Sequence, residues 1–433
     1  MSAFKDTDTI KLMVGDKVLQ SWNPNPEAED QGGRIQLQSH NNHPGNPLYH
    51  VRPEDRDAVA EGRVSLCKAF DLASDACLNS ALDQASGAIV PPGANADDAF
   101  DESFKSRFPI VIEPGTYFIN RPLMKFPGVD IEGGNTMANA TIRVSKAHQA
   151  HAEAYGGHIA GEKIDGVGLF QVGRILFAGH EIRAHSHGVS GVRFTSYNGS
   201  RIAAFALAGH QTNPRYSHIG ALGSHEDAGF GFASVKQERT NLVRENLVGG
   251  RVTLLEEEPN SFDLWLKDYQ FERFGIGVLV RGALAPKIEG SIWYCNNSLV
   301  LSACYHAATR NFIGDRFLDK PKLGTTKCAI YVAGNNNYIQ DNIQYAEDAG
   351  VLMKGYGNTI RARNAYKYGV YKCAAGVYAP GKYNHKKTGD FVPSKRNDGD
   401  LEYVNGTFGR WKTGDSSWGG SLEAYKRFYD REN

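Results

Sequence analysis

The sequence lacks several features that would assign it to a common functional class. Neither charge sign is in excess, because 48 Lys and Arg residues balance 48 Asp and Glu residues. A neutral chain does not demand a polyanionic partner, so we expect no nucleic-acid ligand. No apolar run approaches the ~20 residues of a membrane helix, and residues 1–6 show no apolar signal segment. We therefore expect no membrane partner. The localisation stays open between a cytoplasmic protein and one exported after leader removal.

Cysteine is scarce and its spacing indicates neither a metal site nor a redox motif. The six Cys residues contain no CxxC pair, and four of them lie within or beside the repeats described below, which favours buried reduced thiols. The segment His185-Ser186-His187 would place two rings on one face of a strand. No Cys or carboxylate completes a ligand set there, so we predict no metal and no cofactor.

A six-residue phrase recurs through the last third of the chain. It reads small, aliphatic, any, aliphatic, any, small, and occupies residues 277–282, 298–303, 329–334 and 350–355, with a degenerate fifth copy from Gly369-Val370. The step from 278 to 299 is 21 residues, and so is the step from 330 to 351. A fixed period built from alternating strands is the signature of a solenoid.

A second phrase lies out of phase with the first and places Asn before an aliphatic residue. It appears at residues 311–313, 337–339 and 358–360. Each period therefore contains at least two strands separated by a bend, where Asn tolerates left-handed backbone angles and its amide can bond to the Asn of the next turn. An antiparallel sandwich is the alternative. Strands of like phase without Asn-Gly hairpin turns favour stacked parallel turns instead.

The rest of the chain divides around these repeats. We predict an irregular arm or cap at 1–63, the repeat domain with an entrance helix at 64–378, and a C-terminal cap or tail at 379–433. Helical spacing of apolar residues marks 64–86, a polar insertion follows at about 88–107, and a loop at 210–226 is expected to form a groove wall. The helical spacing is carried by Leu66, Phe70, Leu78 and Leu82.

The entrance to the repeats resembles a known superfamily. The segments LNSALDQAS (78–86), IVIEPGTYFIN (110–120) and VDIEGGN (129–135) look like the entrance of pectin-lyase-like right-handed β-helices. The resemblance covers about 76–135 and 190–375. It implies an all-β fold, a right-handed parallel β-helix, whose open end is capped by the helix. The polygalacturonase motifs and the pectate-lyase calcium pattern are absent as sets, so pectin itself is not indicated as substrate.

The residues between the two inward aliphatics of the first phrase should point outward, and they are apolar. Such a stripe would be covered either by the C-terminal tail or by identical chains. Because parallel homotrimers are common in the superfamily that the chain resembles, we predict a homotrimer. The stripe consists of Leu279, Val300, Tyr331, Leu352 and Tyr371.

The second phrase predicts a different outward face with chemistry on it. Aligning Leu266, Ile288, Ile313, Ile339 and Ile360 makes the next residues Lys267, Glu289, Gly314, Gln340 and Arg361. With turns ~4.8 Å apart, Asp268, Glu289 and Asp315 would lie roughly 5–10 Å from one another, as the two carboxylates of a glycosidase do. The predicted catalytic residues are Asp268, Glu272, Glu289 and Asp315. The predicted substrate-binding residues are Trp265, Lys267, Trp293, Arg316, Gln340 and Arg361.

These residues predict a carbohydrate-active enzyme whose partner is a polysaccharide or oligosaccharide substrate. Paired carboxylates would hydrolyse or transfer a glycosidic bond, as in a glycoside hydrolase or fructan-type transferase. One alternative is a lyase acting on a uronate polymer by β-elimination, with His, Lys, Arg or Tyr as base. Another is a non-catalytic glycan-binding protein similar to a phage tailspike.

Overall fold

The chain is seen in a computed structural model that divides into two compact units, Met1–His43 and Pro44–Asn433. The structure describes residues 10–14, 17–22, 43–86, 104–134, 140–146, 158–159, 162–185, 187–197, 200–224, 229–236, 248–314, 328–343, 349–354, 358–360, 363–364, 375–378, 385–386, 402–404 and 407–410.

The described part of the first unit is one antiparallel hairpin. Its strands are β1 (Ile10–Val14) and β2 (Lys17–Trp22), and Val14 lies opposite Lys17 next to the turn. The division after His43 falls inside the range 1–63 that we predicted as a single arm.

The second unit consists mostly of strands. It begins with two 3-10 turns, Pro47–His50 and Pro53–Asp55, and the helices α1 (Arg56–Ala60) and α2 (Cys67–Ser86). Its strands, in chain order, are β3 (Ile110–Val111), β4 (Gly115–Ile119), β5 (Leu123–Lys125), β6 (Ile131–Glu132), β7 (Ala140–Val144), β8 (His158–Ile159), β9 (Glu162–Lys163), β10 (Gly166–Gln171), β11 (Arg174–Phe177), β12 (His180–His185), β13 (Gly188–Ser190), β14 (Val192–Thr195), β15 (Ile202–Ala208), β16 (His210–Thr212), β17 (Arg215–Ser217), β18 (Gly220–Leu222), β19 (Phe230–Val235), β20 (Val252–Leu254), β21 (Asn260–Phe262), β22 (Trp265–Glu272), β23 (Ile276–Arg281), β24 (Ala283–Leu284), β25 (Lys287–Trp293), β26 (Asn297–Tyr305), β27 (Ala308–Gly314), β28 (Cys328–Asn335), β29 (Tyr338–Ile339), β30 (Asn342–Ile343), β31 (Ala349–Lys354), β32 (Thr359–Ile360), β33 (Arg363–Asn364), β34 (Ala375–Tyr378), β35 (His385–Lys386), β36 (Glu402–Val404) and β37 (Thr407–Arg410).

The predicted entrance helix is confirmed as α2. The residues that carried its helical spacing are all buried, and α2 packs against β3 and β5, the terminal strands of the two large sheets. An end strand of a sheet exposes unpaired backbone groups, and a helix laid over it protects that edge. The predicted strand, Pro-Gly turn and strand are also present as β3 and β4. No helix in the described ranges has the length and apolar character that crossing a membrane requires.

The strands form two long parallel sheets in an all-β, solenoid-like fold. Pairs between successive turns are parallel, and within the described residues the antiparallel pairs are confined to β1–β2, β8–β9, β11–β12, β11–β20 and β36–β37. The antiparallel sandwich alternative is therefore wrong. The aliphatic column predicted from 278 to 351 is confirmed and continues in both directions, through Leu123, Leu169, Phe205, Phe232, Val278, Leu299, Ile330, Val351 and Val377.

Left-handed corners connect the strands, but the Asn residues of the second phrase do not form them, because neither Asn311 nor Asn337 has a left-handed backbone and Asn311 lies inside β27. Asn213 and Asn336 have φ of +54° and +55°, and Asn337 donates from Nδ2 to Oδ1 of Asn358 on the next turn at 2.9 Å. The same corner in the intervening turns contains residues other than Asn. The full column of left-handed residues is Asn213, Asp263, Ala285, His306 and Asn336.

Two repeat assignments are wrong in register. Val351 pairs with Val377, so the fifth copy of the first phrase is β34 and not the segment beginning at Gly369, which lies outside the described residues. In the second sheet Ile292, and not Ile288, lies opposite Ile313. Each of the two strands buries two positions four residues apart, Ile288 and Ile292 in β25 and Thr309 and Ile313 in β27. The phrase was matched to the first of these positions in β25 and to the second in β27.

The range 210–226 was predicted as a loop, but it contains β16, β17 and β18, which form part of an ordinary turn. The excursion in this region is instead the hairpin β11–β12, and β20 pairs with its outer strand. Arg174 on β11 contacts Glu181 across the hairpin and donates to Glu257 at 2.5 Å. These contacts tie the hairpin to the segment that follows β20.

The apolar stripe is buried within the single chain where the structure describes it. Leu279, Val300 and Tyr331 are each 1% exposed. The side chains of Leu352 and Tyr371 lie outside the described residues. Parallel sheets are usually covered on both faces, and this stripe follows that rule. It gives no support to the predicted homotrimer, which remains a prediction based on the resemblance.

Candidate functional site

The predicted site lies on the outer face of the second sheet, where β17, β22, β25, β27 and β29 run side by side. Burial alternates along β22: Leu266, Tyr269 and Phe271 are buried, whereas Trp265 and Lys267 are exposed. The inward residues form the core, so the outward residues are free to meet a ligand. This surface is called the outer face below.

A β-bulge at Asp268 interrupts the outer face. Lys267 lies opposite Glu289 and Tyr269 lies opposite Gly290, which leaves Asp268 as the extra residue, with φ of +50°. On the preceding turn His218 has the same left-handed backbone, and its Nε2 lies 3.8 Å from Oδ2 of Asp268. Bulges redirect side chains and are frequent beside active sites. Here the bulge presents a half-exposed imidazole and a half-exposed carboxylate next to each other.

Asp268 and Glu289 lie on β22 and β25, which pair with each other as neighbouring rungs, that is, as the strands of successive turns. Glu289 is half-buried on β25, directly opposite Lys267, the residue that precedes the bulge. Neighbouring strands lie about 4.8 Å apart, so the backbones that carry the two carboxylates are one rung apart. The two residues are thus brought together in the way the sequence predicts.

Glu272 and Trp293 are opposite each other at the far end of the same two strands. Glu272 accepts a hydrogen bond from Nε2 of Gln270 at 2.5 Å, and the ring of Trp293 lies 5.0 Å from that of Phe312. A shallow depression adjoins Glu272 because Gly220, opposite Gln270, has no side chain to fill it. The depression is lined by Arg193, Gly220, Ala221, Gln270 and Glu272.

Cations surround Trp265 at the near end of the outer face. The indole is 38% exposed, and the charged atoms of Arg215, Lys287 and Lys267 lie 5.6, 5.8 and 6.0 Å from its ring centre. Arg310 follows on the next turn, opposite Glu289. Trp265 was predicted to stack on a sugar, but its neighbours are cations. The cation cluster below means Arg215, Lys267, Lys287 and Arg310.

Of the remaining predicted residues, one lies on the outer face and three lie outside the described residues. Gln340 is exposed and donates its backbone N–H to the carbonyl of Thr309, which places it beside Arg310 in the column of Lys267 and Glu289. Asp315, Arg316 and Arg361 lie outside the described residues. The register argument for Asp315 is wrong, because Asn311 lies opposite Gly290.

Sequence reasoning missed Arg215, Lys287 and Arg310 as site residues, and it noted His218 only as part of a His-rich segment. The signal was present, because each of the three cations lies next to the first inward position of its strand. That signal was lost when Ile313 was aligned with Ile288, which hid Arg310, and when Tyr216 was not recognised as the equivalent of Leu266.

One carboxylate next to Gln340 points into the core. Asp341 is fully buried, its Oδ1 accepts from the Asn311 backbone N–H at 2.5 Å, and its Oδ2 accepts from Oγ1 of Thr309 at 3.0 Å. The Tyr269 hydroxyl donates to Oδ1 of Asn311 at 2.7 Å. Burial raises the pKa of Asp341 to about 7, although these hydrogen bonds lower it. Asp341 therefore supports the outer face from below and cannot reach a substrate.

The His-x-His segment has one buried and one half-buried ring. His187 is buried, and its burial, with Lys125 nearby as the next cause, holds its pKa well below the ordinary value. His185 is half-buried on β12. Within the described ranges, no three side chains of His, Cys, Asp or Glu come close enough together to hold a metal ion.

Comparison with known proteins gives no match: no family model, no curated protein and no solved structure is significantly similar to the chain.

Proposed function

We propose that the chain is a carbohydrate-active enzyme that cleaves or transfers a glycosidic bond with Asp268 and Glu289. The observation that carries the proposal is the placement of these carboxylates on neighbouring rungs, one of them redirected by a left-handed bulge. We further propose that the solenoid is a right-handed parallel β-helix of the pectin-lyase-like type, which the entrance motif and the parallel sheets support.

The chemistry follows from two carboxyl groups that flank one bond. One carboxylic acid protonates the leaving oxygen, while the other, as carboxylate, attacks the anomeric carbon or activates water. Retaining enzymes separate the two carboxyl groups by about 5 Å, and the strands that carry Asp268 and Glu289 are neighbours with backbones about 4.8 Å apart. His218, beside Asp268, is placed to hold the bulged carboxylate in position.

Substituting the carboxylates tests the proposal. Purified protein is screened against neutral and acidic polysaccharides for new reducing ends, ultraviolet absorbance and product mass. Asp268→Asn and Glu289→Gln should each lower turnover by about 100-fold or more, because each removes a proton donor or acceptor at the reacting bond. Asp263→Asn is the matched control, since Asp263 is exposed and has the same φ of +50° at a corner of the same turn.

Three outcomes would contradict the proposal. Full turnover in both carboxylate variants would remove Asp268 and Glu289 from the mechanism. Product that absorbs in the ultraviolet would identify β-elimination by a lyase instead. Glycan binding without turnover on any polysaccharide would favour the non-catalytic, tailspike-like alternative.

A further inference from the structure

We propose that the cation cluster binds the acidic groups of a glycan, so that the substrate carries carboxylate or sulfate groups. The inference takes the ligand to be a glycan from the proposed function above. It adds the charge of the substrate, about which the neutral composition of the chain gives no information.

The first argument is an excess of local positive charge, since the four cations share this face with two carboxylates, Asp268 and Glu289. The cluster places one exposed cation on each of β17, β22, β25 and β27, which are neighbours in the sheet. Within the described part of the chain none of the four forms an ion pair, whereas other surface cations such as Arg52, Arg63 and Lys236 do. The number of Lys and Arg residues equals the number of Asp and Glu residues over the whole sequence, so the grouping of four cations on this face is not explained by an overall excess of basic residues.

The second argument concerns Trp265. Three cations lie within about 6 Å of one indole ring, and their mutual repulsion would otherwise drive such mobile side chains apart. The negative face of the ring offsets part of that repulsion and keeps the charges close together at the surface. An anionic ligand is the partner that such an arrangement attracts.

The third argument is the position of the cluster beside the proposed catalytic pair. Lys267 immediately precedes Asp268 in the chain, and Arg310 lies opposite Glu289. A glycan lying along the stack of strands would present acidic groups to cations on successive rungs, ~4.8 Å apart, with a glycosidic bond over the carboxylates.

Binding to matched polymers tests the inference. Asp268→Asn protein, in which turnover is blocked, is titrated calorimetrically with polygalacturonate, dextran sulfate, uncharged dextran and poly(dT). We expect binding to one or both acidic glycans, weakened by added salt. Adding Arg215→Gln and Lys287→Gln should weaken that binding at least tenfold, because a hydrogen bond to a charged group contributes about 1.5–3 kcal/mol and 1.4 kcal/mol is tenfold.

The control variant carries Lys68→Gln and Lys163→Gln in the same Asp268→Asn background. Both lysines are exposed, so the net charge is matched while the cluster is intact. The control should bind as the Asp268→Asn protein does. Binding of polygalacturonate alone assigns carboxylate as the recognised group, and binding of dextran sulfate alone assigns sulfate.

Equal affinity for uncharged dextran, preference for poly(dT), no binding to any of the four polymers, or equal weakening in the control would each overturn the inference. Failure of the proposed function looks different. If the protein binds an acidic glycan but the unsubstituted protein never turns it over, the inference about acidic groups holds and the proposed enzymatic function is wrong. If the protein turns over neutral glycans alone, the enzymatic function holds and the inference about acidic groups is wrong.

Discussion

At the residue scale, left-handed backbone forms both a recurrent corner and the bulge at Asp268. At the recurrent corner it only turns the strand, and Asn, Asp, Ala and His occupy that corner in different turns. At the bulge the corresponding residues are Gly191, His218 and Asp268 on three successive turns, and the next turn has no extra residue. The bulge therefore ends at Asp268, because β25 passes this level without an extra residue.

Asp341 gives a prediction about pH at the same scale. Its pKa is about 7 in the folded chain, against an ordinary value of 3.8. Between these values the unfolded chain has lost a proton that the folded chain keeps, so the contribution of Asp341 to stability falls as pH rises from about 4 to about 7. The fall should amount to about 4 kcal/mol, and Asp341→Asn should abolish it, because the amide accepts from Asn311 and donates to Thr309 without ionising.

Urea unfolding at pH 4, 6 and 8 measures this effect, with Asp263→Asn as the exposed control. The free energy of unfolding of Asp341→Asn should match or exceed that of the unsubstituted protein at pH 8. Parallel pH profiles for the two proteins would show that Asp341 is not the group responsible.

At the element scale, polar ladders and close backbone approaches fix the turns against one another. Asn337 is 1% exposed; its Oδ1 accepts from the Ala307 N–H at 2.8 Å and its Nδ2 donates to the Cys304 carbonyl at 3.1 Å. Gly290 allows β25 to pass Tyr269, since a Cβ there would lie 2.5 Å from the tyrosine ring. Both features lie beneath the outer face and hold its strands in register.

Asn337→Ala should destabilise the chain by about 2–5 kcal/mol, because a buried N–H and a buried carbonyl then lose their partner. Gln340→Ala is the control in the same turn, since Gln340 is exposed. Thermal and urea unfolding of both variants measure the difference. Equal stability of the two variants would mean that the ladder contributes nothing to the fold.

At the scale of the whole molecule, a single chain buries what the sequence indicates as an association surface. Leu279, Val300 and Tyr331 lie on the face opposite the core column and are nevertheless inaccessible. The helix α2 covers the first strands, and the stripe is already buried. The described residues of the stripe therefore do not need an identical chain to cover them.

Leu279→Ala should accordingly lower the stability of the chain itself. A buried Leu replaced by Ala costs about 2–5 kcal/mol, and the loss should not depend on protein concentration. Sedimentation before and after the substitution, with unfolding at several concentrations, checks this. A shift of the sedimenting species toward one 47.5 kDa chain would show instead that Leu279 lies between subunits.

The fold and the site differ in how far the sequence could predict them. The column from Val278 to Val351 was predictable because every turn must place an aliphatic residue at the same inward position. The register of Ile313 was not, since the phrase falls on the second inward position of β27 but on the first inward position of β29, where Ile339 lies opposite Thr309. Asp268, Glu289, Trp265 and Lys267 were found together because they lie in a part of the repeat without insertions.

The sequence by itself determined that parallel turns stack, that a helix precedes them, and that Asp268 and Glu289 lie on neighbouring turns, because these are consequences of local periodicity. Only the tertiary structure decided that Asp268 is a bulge, that Arg215 and Arg310 belong to one cluster, and that Leu279 is covered. Bulges, cation clusters and buried stripes depend on which residues of different turns lie opposite one another. Variable insertions between turns prevent sequence spacing alone from fixing that pairing.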